Sequence, residues 1–170
     1  MKTYTFKCTG MSHHLDAFKA IEVKNPDYSL SHSELKDLYP PYERIYQKEY
    51  PVKMLSFEFE NNEYDSNAVK VMVDGHHVAY IKSGSCTQVK NLLASPNLKN
   101  VTVEIAGGKY KIIKELENDD GDTTLKVYGD EAPIWVHLTF YVEEKKKFCT
   151  QCGKQVDPKA KFCIYCGSKL

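Results

Sequence analysis

The last stretch of the chain, residues 148–170, reads FCTQCGKQVDPKAKFCIYCGSKL and holds four of the six cysteines. Cys149 with Cys152 and Cys163 with Cys166 form two Cys-x-x-Cys-Gly turns, and ten residues separate Cys152 from Cys163. Each turn folds the chain back sharply enough to place two thiolates on one ion. The glycine after each second cysteine supplies the left-handed conformation that turns backbone N–H groups toward the sulfurs. Two such knuckles complete a tetrahedral four-thiolate set, the ligand set of zinc. With every ligand position taken by cysteine, no place is left for a reactive water, so the metal is expected to be structural. A segment this short buries too little surface to fold alone, and metal binding must supply its folding free energy. A redox role would instead expect one Cys-x-x-Cys beside a βαβ unit.

The two halves of this tail are alike: Lys147-Phe148-Cys149 is echoed by Lys161-Phe162-Cys163. The pattern resembles a short zinc-ribbon. The resemblance implies a nucleic-acid contact or a protein-docking knob, and the spacing does not separate the two. Charge divides at the same place. Seven lysines against three acids from residue 143 onward give +4, leaving −4 for residues 1–142 of a chain that is neutral overall. The run Glu143-Glu144-Lys145-Lys146-Lys147 carries no apolar residue and reads as a charged linker over 143–147. This predicts a body over 1–142 and a ribbon over 148–170.

Charge neutrality argues against a chain that coats polyanions nonspecifically. No apolar run approaches a membrane span, and the N-terminus lacks a signal-peptide core, so a cytoplasmic protein without membrane contact is expected. In the body, Leu55, Phe57 and Phe59 alternate with Ser56, Glu58 and Glu60 as a half-buried strand should. Val69, Val71 and Val73 follow, then Asp74-Gly75, a strong two-residue hairpin signal, and a return strand over 76–81. That turn predicts Val69 opposite Tyr80. Ser85 and Gln88 predict a capped helix with Cys86, Val89, Leu92 and Leu93 inward. Further strands are expected over 3–9, 101–106, 109–114, 123–128 and 134–142, the second and third joined through Gly107-Gly108. Ser31 and Glu34 cap a helix ending before Pro40. The spacing of Tyr39, Tyr42, Tyr46 and Tyr50 predicts a second helix over 42–48. Many short strands with few helices suggest a mainly β, α+β fold: a small barrel decorated by helices.

The segment 60–81 resembles the HIRAN domain. Its hallmark Asn-x-Tyr-Asp-x-Asn-Ala is present as Asn62, Tyr64, Asp65, Asn67 and Ala68, followed by Val69, Val71 and Ala79-Tyr80-Ile81; Gly10-Met11 matches an earlier motif. The resemblance covers roughly 3–93, interrupted near 25–50, and the HIRAN-like body it implies is drawn to residue 142. It implies an OB-like barrel that binds single-stranded DNA and, in fork-remodelling translocases, captures a free 3′ end. The motif tyrosine then stacks on the terminal base and the aspartate accepts from the 3′-hydroxyl, roles that fall on Tyr64 and Asp65. Where other members place Arg-Tyr-Tyr, this chain has Ser12-His13-His14, which keeps a stacking ring but loses a fixed positive charge. Tyr80 and Lys82 complete the candidate DNA-binding set.

Plainer roles compete. Asp65 could cap a turn, Asn67 could hold a left-handed position, and Tyr80 on the valine face would be core. His76 and His77 point to opposite faces of a strand and cannot chelate together. Cys8 and Cys86 read as buried thiols, and the acidic run 115–122 as a solvated hairpin tip. No phosphate-binding loop, nucleophile elbow or metalloprotease motif is present, so no enzyme is expected. The sequence points to a protein recognising single-stranded or damaged DNA, with the ribbon as auxiliary contact. The alternative is a protein–protein adaptor that docks through the ribbon.

Overall fold

The computed structural model describes residues 1–144 and 147–170. Alternation of apolar and polar residues organises the body. β1 (Lys2–Thr9), β5 (Leu55–Glu60), β6 (Ala68–Val73) and β7 (His76–Ile81) are joined by two 20-residue strands, β8 (Leu98–Glu117) and β9 (Thr123–Val142). With β3 (Arg44–Tyr46) they form one seven-stranded sheet in the order β3-β8-β9-β1-β7-β6-β5. β1 connects its halves, pairing with β9 through Lys2–Lys7 and with β7 through Cys8 and Thr9.

The expected barrel does not close: β3 and β5 are the sheet's two edges. The sheet nonetheless folds over a shared core, where Phe140 of β9 meets Phe6 edge-on at 5.5 Å and Phe57 at 6.0 Å. Two helices close this core. α1 (Leu15–Ile21) inserts Phe18 and Ile21, and α3 (Cys86–Leu93) inserts Cys86 and Val89. The body is mainly β with few helices, an α+β arrangement.

Three local expectations are corrected. Residues 42–48 are not helical. Tyr42 has φ of 68°, and its N–H donates to Ile113, while Arg44–Tyr46 pairs with β8 as β3. Strand pairing along an otherwise open edge overrides the helical spacing of the tyrosines. β4 (Lys48–Glu49) then pairs with β2 (Val23–Lys24). Gly107-Gly108 does not end a strand but lies inside β8, where the register slips between Ala106 and Gly108. A Cβ on Gly107 would sit 2.4 Å from the Ile134 Cα, so only glycine admits this approach. Ser85 begins α3 without a side-chain cap, a short 3-10 turn (Ser83–Ser85) leading in instead. By contrast α2 (His32–Leu38) carries the complete Ser31–Glu34 capping box.

The hairpin 74–75 forms with φ positive at both residues, 49° and 82°, as its sequence demands. Its register differs from expectation. Val73 faces His76 and Met72 faces His77, but Val71 faces Ala79 and Lys70 faces Tyr80. Val78 is thus an extra residue, a bulge that sends both Val78 and Ala79 into the core. Tyr80 consequently leaves the valine face. The acidic hairpin tip is exposed as expected. Cys8 and Cys86 are buried, which pushes the Cys8 thiol up to about 12 and raises that of Cys86.

Of the charged linker, Glu143 donates its N–H to Asn97 and its carboxylate pairs with Lys99 at 2.7 Å. Lys145 and Lys146 lie outside the described residues, and Lys147 opens β10 (Lys147–Phe148), which pairs with β11 (Gln155–Val156). No helix among the described residues is long and apolar enough to cross a membrane.

Candidate functional site

In the tail, each Cys-x-x-Cys-Gly turn closes by the same backbone bond. Gly153 donates to the Cys149 carbonyl and Gly167 to the Cys163 carbonyl, both at 2.8 Å, with φ of 69° and 72° at the two glycines. Cys149 also donates to Lys154, and Cys163 to Ser168. The knuckles bring all four Sγ atoms within 4.8 Å of one another, with Cys149–Cys166 and Cys152–Cys163 each at 3.6 Å. A zinc–sulfur distance of about 2.3 Å sets tetrahedral vertices about 3.8 Å apart, so the four thiols fit one zinc ion. Ser168 Oγ lies 3.1 Å from both Cys149 and Cys166 Sγ, and its hydrogen bonds hold the Cys149 thiol down to about 6 and that of Cys166 below its ordinary value. The Tyr165 N–H donates to Cys163 Sγ at 3.4 Å. The Ser168 contacts favour thiolate at Cys149 and Cys166, and all of these outer contacts fix ligand orientation.

Residues 148–170 match the zinc-ribbon domain. The ribbon's four cysteines hold one structural zinc. No curated protein and no solved structure matches the chain. Around the ribbon's metal site Phe148, Phe162, Ile164 and Tyr165 are exposed, and Lys154 lies 4.7 Å over the Tyr165 ring.

The second candidate site is a groove of about 560 Å³ on the body. It brings together His13, His14, Tyr64, Asp65, Tyr80 and Lys82, six residues singled out from the sequence, with Gly10 and Asn62. Ser12 instead lines a neighbouring cavity with Met11, Leu15, Pro133 and Ile134. Tyr64 is 90% exposed. Its loop is nonetheless defined. Asn62 Oδ1 accepts from the Tyr64 N–H at 3.0 Å and from the Asp65 N–H at 2.8 Å, and Asp65 Oδ1 accepts from Asn67 at 2.8 Å. Asp65 does therefore cap a turn. Its other oxygen has a weak contact from the Cys86 thiol at 3.8 Å. Asn67 is not left-handed; it is tied to α3 through Thr87 and Lys90.

The Val78 bulge builds the groove wall. It places His77 and Tyr80 on one face, with the Tyr80 ring edge-on to His77 at 4.5 Å and the His14 ring against His77 at 3.9 Å, tilted by 43°. Burial lowers the pKa of both imidazoles, and each also feels neighbouring positive charge, His14 from His13 and Lys70, His77 from His14 and Lys70. His77 Nε2 lies 3.1 Å from the Ala79 carbonyl and donates to it. Below them Glu60 accepts from Tyr80 at 2.9 Å and Asn62 at 3.1 Å and pairs with Lys70 at 3.0 Å. The donors Asn62, Lys70 and Tyr80 hold the Glu60 carboxyl down to about 2. Sequence reasoning missed Glu60, Lys70 and His77, which contact the groove residues Asn62, His14 and Tyr80 without lining the groove themselves; the bulged register of β7 is what brings Tyr80 opposite Lys70 and onto the His77 face.

Proposed function

We propose that this chain is a non-enzymatic protein that binds single-stranded nucleic acid, seating a strand end in the groove beside Tyr64 and Asp65. The supporting observation is the exposed Tyr64 ring on a loop pinned by Asn62. Its face is free to stack on a base, an interaction worth about 1–3 kcal/mol. Asp65 lines the same groove, and its carboxylate suits a terminal hydroxyl while repelling an internal phosphate. On this reading the body is HIRAN-like with an open sheet. His14, its ring against that of His77, offers a second ring in place of the family's tyrosine, while Lys82 supplies a fixed cation to the groove.

Fluorescence anisotropy with labelled single strands bearing free or blocked 3′ ends tests the proposal. Free-ended strands are expected to bind tighter. Tyr64→Ala is expected to weaken them about 5- to 150-fold without lowering thermal stability, and Asp65→Asn to erase the end preference. Equal binding by parent and Tyr64→Ala would refute it.

A second reading, a protein adaptor, is favoured by the ribbon's exposed Phe148, Phe162 and 82%-exposed Ile164. A protein complex would respond weakly to salt, whereas strand binding falls steeply.

A further inference from the structure

The outer half of the long hairpin carries a surface separate from the groove. Directly opposed residues share a face of a sheet. Tyr46 faces Tyr110, Arg44 and Tyr128 flank Ile112, and Lys114 faces Lys126, so all these side chains lie on one face of the β3-β8-β9 ladder. The opposite face carries Ile45, Ile113 and Val127 and is covered by Leu35 of α2. The first face stays accessible: Arg44, Lys114 and Lys126 are exposed, and Tyr128 is 40% exposed. Arg44 lies 4.6 Å over the Tyr110 ring and Lys114 5.4 Å over that of Tyr128.

Two features point to an anionic, ring-bearing partner. Like charges directly opposed across two strands are unfavourable, yet Lys114 and Lys126 are so placed, and neither has an ion-pair partner among the described residues. Phosphates would relieve that repulsion. Tyr128 offers an exposed ring for stacking beside the cations, whereas Tyr110 is buried with Arg44 over its ring. Asp130, exposed on the same face, accepts from Tyr110 at 3.3 Å and keeps its negative charge, so the face sets three cations (Arg44, Lys114, Lys126) against one carboxylate, and the acidic tip over 118–122 bounds it.

We propose that this face is a second contact for single-stranded nucleic acid, with Arg44, Lys114 and Lys126 taking phosphates and Tyr128 stacking on a base. It runs along the hairpin and needs no strand end, so it stands apart from the groove.

Anisotropy at several salt concentrations tests it with 3′-blocked thymidine strands of roughly 5 and roughly 20 nucleotides, which bracket the usual site sizes. The long strand is expected to bind tighter. Combined Arg44→Ala, Lys114→Ala and Lys126→Ala should weaken it tenfold or more and reduce the salt slope by about 2, since each single-strand phosphate contact contributes about 0.7. Tyr128→Ala should cost about tenfold. Unchanged melting midpoints establish that the variants are folded. Long-strand binding that is insensitive to the triple change, or absent altogether, overturns the inference. Loss of blocked-strand binding with the triple variant, while Tyr64→Ala leaves the binding of free-ended strands unchanged, would refute the groove and leave this surface standing; the reverse result would refute this surface alone.

Discussion

Stripping the metal from the ribbon is expected to unfold residues 147–170 and leave the β-rich body intact. The ribbon's own core is Cys149, Val156 and Cys163, with Cys152 and Leu170 partly packed against it. Val156 is the one fully apolar side chain buried there, worth about 1.5–3 kcal/mol. Ordering one residue's backbone costs about 1–2 kcal/mol, so that valine offsets the ordering of one or two residues. A structural zinc contributes about 10–16 kcal/mol in comparable modules, several times what packing offers here. The assay is a two-dimensional amide NMR spectrum recorded before and after excess chelator. Amides of 147–170 should collapse to the narrow dispersion of unfolded chain while those of β1, β5–β9 and α3 keep their positions. Cys163→Ser, which leaves three thiolates, should act in the same direction. Dispersed ribbon amides after complete metal removal would refute the reasoning, because packing would then suffice. A body melting midpoint that falls by more than about 2 °C would refute the independence of the two parts.

Two further outcomes follow from the body. Glu60 is held at about 2, below its ordinary value near 4.5, so its contribution to stability is present above pH 4.5 and lost as pH falls toward 2; His14 and His77, lowered from 6.5, contribute above pH 6.5 and lose that contribution as pH falls through their lowered values. Urea midpoints against pH should show both limbs, and Glu60→Gln should flatten the lower one while sparing the upper; an unchanged acid limb would exclude Glu60 as its source. Gly107→Ala should cost about 3 kcal/mol or more and lower the melting midpoint by roughly 10 °C, since its Cβ would meet the Ile134 Cα at 2.4 Å and the Pro133 oxygen at 2.6 Å. Gly129→Ala, with open space around its Cβ, is the matched control and should leave the midpoint within about 2 °C.

What was legible in the sequence was local. The cysteine turns carry their own geometry in their spacing and in Gly153 and Gly167, and the Asp74-Gly75 hairpin demands its own turn type. The Ser31–Glu34 box likewise needs only four consecutive residues. The groove residues Tyr64 and Asp65 could be named because they belong to one short motif whose loop is stabilised by Asn62 within it. What failed needed partners far along the chain. Tyr39, Tyr42, Tyr46 and Tyr50 obey a helical spacing, but β8 extends well past the core, and the demand for a partner on its edge drew Arg44–Tyr46 into a strand. The barrel failed for a related reason: closure depends on whether the two outermost strands meet, which no local pattern encodes.

Both candidate surfaces on the body lie beside a point where strand register slips. In β7 one extra residue, Val78, sets Ala79 inward opposite Val71 and brings Tyr80 opposite Lys70. Without it, strict alternation would pair Tyr80 with Val69 and bury it, leaving Glu60 without one of its three donors. In the long hairpin, Ala106 faces Trp135 but Gly108 faces Ala132, so two residues of β9 oppose one of β8 and the alternation is reset between the halves. The inner half then builds core with Val103, Ile105, Val136 and Leu138, while the outer half gathers Tyr110, Lys114, Lys126 and Tyr128 on one face. A period-two reading carried straight through either slip assigns the wrong residues to solvent. The chemistry-bearing side chains of this body are therefore fixed less by strand pattern than by where that pattern breaks.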